Sequence, residues 1–184
     1  MNVELSLYNP ALIYTGQKQF DCEHTVISSF VHNSLKPQVK KSLSVAYVLT
    51  DADEMNRFVG FYTIAQHMID VALLSSLELG SLPRKTPCSR LVMLGIDKRY
   101  KGQNLASMLM KHALTVMRSI AKQMGSFGMY LDADPLALGF YQKLGFALLD
   151  ENKAPEPSSM FLPLSSIGYE PSTEIVHKKI HRSS

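Results

Sequence analysis

The stretch Met93–Leu114, MLGIDKRYKGQNLASMLMKHAL, changes its hydrophobic rhythm halfway through. Before Asp97 it reads as a buried strand, and after Gly102 as one face of an amphipathic helix. Between the two lies a short basic turn that carries Lys98, Arg99 and Lys101. The first N–H groups of a helix have no partner within it, and the helix dipole adds partial positive charge there. Such a turn presents those N–H groups as a cup for phosphate, with the three side chains as full charges around its rim. A solvated turn that holds no ligand is the plain alternative. There is no GK[ST] sequence and no GxGxxG after a first strand, so neither a P-loop nor a dinucleotide fold is supported.

Outward from that junction, Leu105–Met124 is the clearest helix, with Leu105, Met108, Leu109, Ala113, Val116, Met117 and Ile120 on one face. Upstream, CSRLVMLGI reads as a strand, and Gly95 near its end suits a bulge or a close backbone approach. The run GSLPRKTP before it reads as a break, and Val71–Leu79 as a short helix or packed loop. Ser44–Asp51 and RFVGFYTIAQHMI form a predicted hairpin across the polar turn DADEMN. Val26, Ile27, Phe30, Val31 and Leu35 have helical spacing, with Asp21 as the expected cap and Pro37 as the expected end or kink. Downstream come a strand at FGMYLDA, a short helix over Pro135–Leu144, and strands at GFALLD and MFLPL. A weak strand at Glu4–Leu7 precedes all of these. The order predicts a mixed α/β (α+β) fold around one sheet, with a single domain over 1–167 and a basic tail over 168–184.

Composition is that of an ordinary globular protein: 184 residues, 46% hydrophobic and 19% charged, with a formal charge of +3. That charge permits an anionic partner without demanding one. Cys22 and Cys88 form no CxxC pair and no zinc spacing with histidine, so reduced thiols and no metal are expected. No signal peptide and no apolar run of membrane-spanning length is visible, which predicts a cytoplasmic protein without membrane contact.

The motifs converge on one family. KGQNLA, with Lys101, Asn104 and Ala106 in register, resembles the acetyl-coenzyme A (acetyl-CoA) pyrophosphate loop Q/R-x-x-G-x-G/A of the GNAT N-acetyltransferases. Lys101 stands for the usual Gln or Arg, and Asn104 for the central Gly. Asn is the non-glycine residue that best tolerates left-handed backbone geometry. Phe140–Phe146, FYQKLGF, matches the family's FYxKxGF closing motif residue for residue. The resemblance implies a mostly antiparallel twisted sheet with splayed middle strands, between which the pantetheine arm lies. It implies acetyl-CoA contacts from Leu94, Gly95 and Ile96 on the strand and from Lys101, Gly102, Gln103, Asn104, Leu105, Ala106 and Ser107 on the loop and helix start. It adds Asp132 at a strand end and Tyr141 as the general acid. His67, expected to cap a strand, and His112, on the long helix, are weak candidates for a base.

FDCEHTVISSFV further resembles the opening helix FDCGxxxLxxFL of acetyltransferase toxins paired with ribbon-helix-helix antitoxins, and LPRKTPCSRLVMLGID resembles their approach to the cofactor strand. Over residues 18–165 this implies acetylation of the α-amine of aminoacyl-tRNA, which blocks translation, and a cognate antitoxin; a homodimer is left open. Lys36, Lys40, Lys41, Arg84 and Lys85 are candidate phosphate contacts, with Lys178, Lys179 and Arg182 in the tail. Glu23, Val45 and Met93 depart from the subfamily pattern, which has Gly at the first position and commonly Arg at the other two. The competing readings are a small-molecule or protein amine as acceptor, and an acetyl-CoA-binding module without transfer activity.

Overall fold

Residues 2–150 and 154–167 are described by the computed structural model, so the expected basic tail lies outside the described residues. Seven strands form one sheet: β1 (Val3–Leu7), β2 (Val45–Asp51), β3 (Arg57–Asp70), β4 (Lys85–Ile96), β5 (Gly128–Ala133), β6 (Ala147–Leu148) and β7 (Ser158–Pro163). Their order is β1-β2-β3-β4-β5-β7-β6, and every neighbouring pair is antiparallel except β4 and β5. The helices are α1 (Thr25–Asn33), α2 (Leu35–Lys40), α3 (Leu105–Met124) and α4 (Leu138–Lys143). The mixed architecture read from the sequence is therefore the one observed, down to the bounds of the long helix.

Each face of the sheet is covered because its strands alternate two apolar sets. Leu109, Met110, Ala113 and Met117 of α3 pack on Tyr62, Leu91, Met129 and Leu131, together with Tyr141 and Phe146 from the α4 region. Phe30, Val31 and Leu35 of α1 and α2 pack with Phe20 against Ala46, Val48, Phe58 and Phe61 on the opposite face. Phe20 meets Phe58 and Phe61 edge to face at centroid distances of 5.3 and 5.8 Å, a geometry that adds to plain area burial.

Several local expectations are corrected. His24, not Asp21, caps α1: its Nδ1 accepts the Ile27 N–H at 3.4 Å, while Asp21 accepts the Glu23 N–H at 2.8 Å. The chain bends at Ser34, and Pro37 sits in the first turn of α2, where its missing N–H costs no helical bond. Pro87 lies inside β4 rather than in a break. Opposite Met68, its carbonyl turns toward Phe127 and accepts that N–H at 2.8 Å, so the ring nitrogen falls on the side where no ladder bond to β3 is required. The strand expected over GFALLD keeps only Ala147–Leu148, whereas Val71–Leu79 is a short helix or packed loop as expected, with a 3-10 turn over Val71–Leu74 and Leu77 and Leu79 packed on the core.

Of the bulge or close approach expected at Gly95, the close approach is found there, and the bulge lies earlier in the strand. Thr63 pairs with Met93 and Ile64 with Leu91, which leaves Val92 as the extra residue of β4. Just before it, β4 and β5 part. Their parallel pairing consists of Ser89 with Met129 and Arg90 with Tyr130, and from Leu91 to Ile96 β4 pairs only with β3. That separation of the middle strands positions the site.

Candidate active site

The gap between β4 and β5 opens into a cleft made of two contiguous cavities, each of about 540 Å3. They share Cys22, His24, Ile27, Leu94, Lys101, Ala106 and Phe140, so they form one channel with two ends. One end lies against the start of α3 and the other against Tyr141.

The strand edge comes first. The Asp97 N–H donates to the Val59 carbonyl at 2.8 Å, and the Met93 N–H to Thr63 Oγ1 at 3.2 Å, so both groups face β3. Backbone groups alternate along a strand, which turns the N–H groups of Leu94 and Ile96 away from β3 and toward the gap. Gly95 serves packing on the other face. A Cβ there would meet Ile27 Cγ2 at 2.9 Å and Phe20 Cζ at 3.2 Å, so its missing side chain lets α1 close over the strand.

The loop at the other wall is a single 3-10 turn over Lys98–Tyr100 followed by two left-handed residues. Gly102 has φ 77° and Asn104 φ 59°, which realises the tolerance expected of asparagine at the second position. Asn104 precedes α3 without a side-chain cap, so the first-turn N–H groups of α3 are left to the cleft. Gly102, Asn104, Leu105, Ala106 and Ser107 line it. An uncapped helix start, a lysine and a strand edge with outward N–H groups, joined by a largely apolar channel, fit the diphosphate, pantetheine and thioester of acetyl-CoA.

The electrostatics of this turn differ from the expected open basic rim. All three cations are paired: Lys98 with Asp21 at 2.9 Å, Arg99 with Asp97 at 2.8 Å, and Lys101 with Glu23. Asp97 is buried. Burial pushes its carboxyl up, but the Arg99 guanidinium and the N–H groups of Arg99 and Asp21 outweigh that and hold it below the usual carboxylate range. It therefore anchors the turn to the segment that enters α1.

Of the expected cofactor residues, Gln103 does not line the channel, and Asp132 lines it only at the end away from α3. Gln103 opens onto a separate depression with Asp51, Asp53, Glu54, Arg99 and Tyr100. Asp132 sits at the Tyr141 end, not at the α3 end. It accepts hydrogen bonds from Arg90 at 2.9 Å, the Tyr130 hydroxyl at 2.7 Å and the Ser159 hydroxyl at 3.1 Å.

Tyr141 projects from α4, its ring edge-on to Phe140 and Phe146 at 5.1 and 5.7 Å, and it lines the end of the channel away from α3. The aromatic contacts hold the ring where it borders the cleft. Burial pushes its phenol up to about 12. Neither histidine candidate lines the cleft. His67 lies within β3, stacked on Tyr130 at 5.1 Å, rather than capping a strand, and His112 meets the Tyr62 hydroxyl at 2.6 Å. Cys22 and Cys88 are free thiols, and burial pushes the Cys88 thiol up to about 11. Among the described residues there is no group of three or more His, Cys, Asp or Glu placed to hold a metal, and no helix is long and apolar enough to cross a membrane.

The sequence reading did not single out Ile27, Phe140 or Arg90 as cleft residues. The helical spacing of α1 marks Ile27 as buried but not which strand it covers. For Arg90 no local signal exists: Val92 as an extra residue puts Arg90 and Met93 on the same face of β4, where both line the end of the channel away from α3, and that bulge is set by the register with β3.

Comparison with known proteins agrees with this geometry. The family described as Acetyltransferase (GNAT) domain matches residues 18–160. A relative named probable toxin TacT, from Sinorhizobium fredii (strain NBRC 101917 / NGR234), is 27% identical over 158 residues, spanning 80% of this chain and 84% of that protein. A crystal structure described as a bacterial toxin superposes with a TM-score of 0.86 at 32% identity, covering 98% of this chain and 99% of the other. AtaT complexed with acetyl-methionyl-tRNAfMet superposes with a TM-score of 0.80 at 26% identity, covering 91% of this chain and 98% of the other. With a helix start, a splayed strand pair and a tyrosine gathered on one channel, and with that match across most of its length, this chain belongs to the GNAT acetyltransferase family.

Proposed function

We propose that this protein transfers the acetyl group of acetyl-CoA to the α-amine of an aminoacyl-tRNA, that the transfer blocks translation in the cytoplasm, and that a ribbon-helix-helix antitoxin neutralises it. The observation that carries the reading is the channel itself, with an uncapped α3 at one end and Tyr141 at the other. The likeness to a toxin at 32% identity and to AtaT in complex with an acetylated aminoacyl-tRNA supports the choice of acceptor.

Acetyl-CoA supplies an activated thioester carbonyl. The N–H groups of α3's first turn and Lys101 hold the diphosphate, and the backbone N–H groups of Leu94 and Ile96 face the gap in which the arm would run. A donor on that edge stabilises the negative charge that grows on the carbonyl oxygen as the amine attacks. Tyr141 donates its phenolic proton to the departing thiolate. No side-chain base is required to generate the nucleophile, because the α-amine of an aminoacyl ester is less basic than a lysine and carries a substantial neutral fraction at cellular pH; the proton that the nitrogen sheds after attack passes to water, and water in turn reprotonates the Tyr141 phenolate.

On the acceptor side, the guanidinium of Arg90 lies 5.7 Å over the Tyr130 ring, with its Nε buried and unpartnered. Its Nη2 is paired with Asp132 at 2.9 Å, so the face on which Met93 stands in place of the subfamily's arginine carries an ion pair rather than a free cation. Exposed Lys36, Lys40 and Lys41 lie on or just beyond α2 and serve as phosphate contacts. Arg84 and Lys85 both approach Asp70, at 3.9 and 3.2 Å, and contribute less.

The test is transfer from labelled acetyl-CoA to a charged total tRNA pool, with uncharged tRNA as the control. Label on the charged pool alone supports the proposal; label only on small amines or proteins overturns it. The pH profile follows from the raised phenol. Tyr141 stays protonated throughout the neutral range, so kcat/KM is expected to rise with the neutral fraction of the acceptor amine and to reach a plateau. A descending limb is expected only as the pH approaches the phenol's value of about 12. A bell with its falling limb near neutrality would assign the proton to another group.

A further inference from the structure

Among the described residues, Lys101 is the one lysine or arginine that lines the α3 end of the channel, and its ammonium is held by the carboxylate of Glu23. Glu23 reaches it from the segment that enters α1, 78 residues away in sequence. Its own backbone is in the left-handed region, with φ 62°, where glycine is at ease and a glutamate is not. The Asp21 carboxylate holds it there by accepting the Glu23 N–H at 2.8 Å. Lys98 binds Asp21 at 2.9 Å on the same segment, so the strand-to-helix turn and the approach to α1 are tied across the cleft by two ion pairs.

From this we infer that Glu23 competes with the acetyl-CoA diphosphate for Lys101, and so sets the affinity of the cleft for its cosubstrate. The inference rests on the cofactor reading of the channel and goes beyond it. A diphosphate seated on the first turn of α3 lies beside Lys101, and one ammonium with two anions in reach is either shared or surrendered. Both partners are largely exposed, with 49% of the Lys101 side chain and 61% of the Glu23 side chain accessible. The pair is therefore weak enough to exchange, and its influence falls with salt. The Glu23 side chain also borders the acceptor cavity, so on release it has room to swing along the channel instead of into the core.

Calorimetric titration of the full chain with acetyl-CoA tests this without catalysis. Glu23→Gln keeps the backbone strain and the side-chain length but removes the charge. It is expected to tighten Kd about fivefold at low ionic strength, the scale of one exposed ion pair, with a melting temperature close to that of the wild type. The gain should shrink toward unity in ~0.5 M salt, where the screening length is only a few ångströms. It should vanish when Lys101→Met is the background. Glu23→Gly should tighten binding as well and also raise the melting temperature, because glycine relieves the left-handed strain. Unchanged or weaker binding by Glu23→Gln overturns the inference. So does a gain that persists in Lys101→Met, which would make Glu23 a direct repeller of the diphosphate rather than a rival for the lysine. Absence of acetyl-CoA binding by the wild type would fell the cofactor reading itself, and the inference with it.

Discussion

Replacing Tyr141 with phenylalanine should lower kcat at least about 100-fold, within the range that a positioned general acid contributes, and leave the Kd for acetyl-CoA within about twofold. The split between the two numbers is what the geometry demands. The ring is held by Phe140 and Phe146, and phenylalanine keeps both contacts, so α4 and the channel wall stay in place. Only the hydroxyl is lost, and with it the proton for the leaving thiolate. Stopped-flow measurement of transfer, alongside calorimetric binding, separates the steps. Parallel loss of binding and turnover would mean that the tyrosine shapes the channel instead. Full activity would place the proton donor elsewhere, with bulk water the first alternative.

Gly95→Val should have the second-largest effect, and on the opposite quantity. Valine is a good strand residue, so the local backbone has no objection to it. The obstacle is across the interface, where even a Cβ would stand 2.9 Å from Ile27 Cγ2, 3.2 Å from Phe20 Cζ and 3.4 Å from Phe61 Cε1. Branching adds two more carbons in that space, and overpacking of this kind costs roughly 1–3 kcal/mol. α1 carries Ile27 on the channel wall and is capped by His24, which also lines it, so displacing the helix widens the cleft. The expectation is a melting temperature lower by several degrees and an acetyl-CoA Kd weakened at least about tenfold, the equivalent of ~1.4 kcal/mol. Heat-denaturation curves and titration read the two effects separately. A variant with wild-type affinity would show that α1 does not close the channel.

The parts of this site that rest on local chemistry were legible in the sequence. α3 has the expected bounds because an apolar stripe over five turns is a strong periodic signal and Gly125 follows it. Asn104 is left-handed as its residue type suggests. What local reading missed depends on residues distant in the chain. The basic turn looks like an open cationic rim until Asp21 and Glu23 arrive from some 78 residues upstream to cover it. The bulge sits at Val92 because Thr63 and Ile64 on β3 set the register, and nothing within β4 marks that position. His24 takes the capping role expected of Asp21, and its Nε2 also pairs with Asp134 at 3.1 Å, a contact across 110 residues that spacing does not foretell.

The single parallel neighbour in the sheet has a topological consequence. Antiparallel strands can be joined by a tight turn, but a chain that returns parallel must leave the sheet, cross it and re-enter from the same end. Here β4 and β5 are that pair, and α3 is the crossover. The crossover has to begin where β4 ends, so the positive end of a long helix is delivered beside the seam at which, among the described residues, the ladder is cut short. An all-antiparallel meander of the same strands would have neither the seam nor the dipole. The binding site is thus a by-product of chain connectivity, present before any individual side chain is chosen.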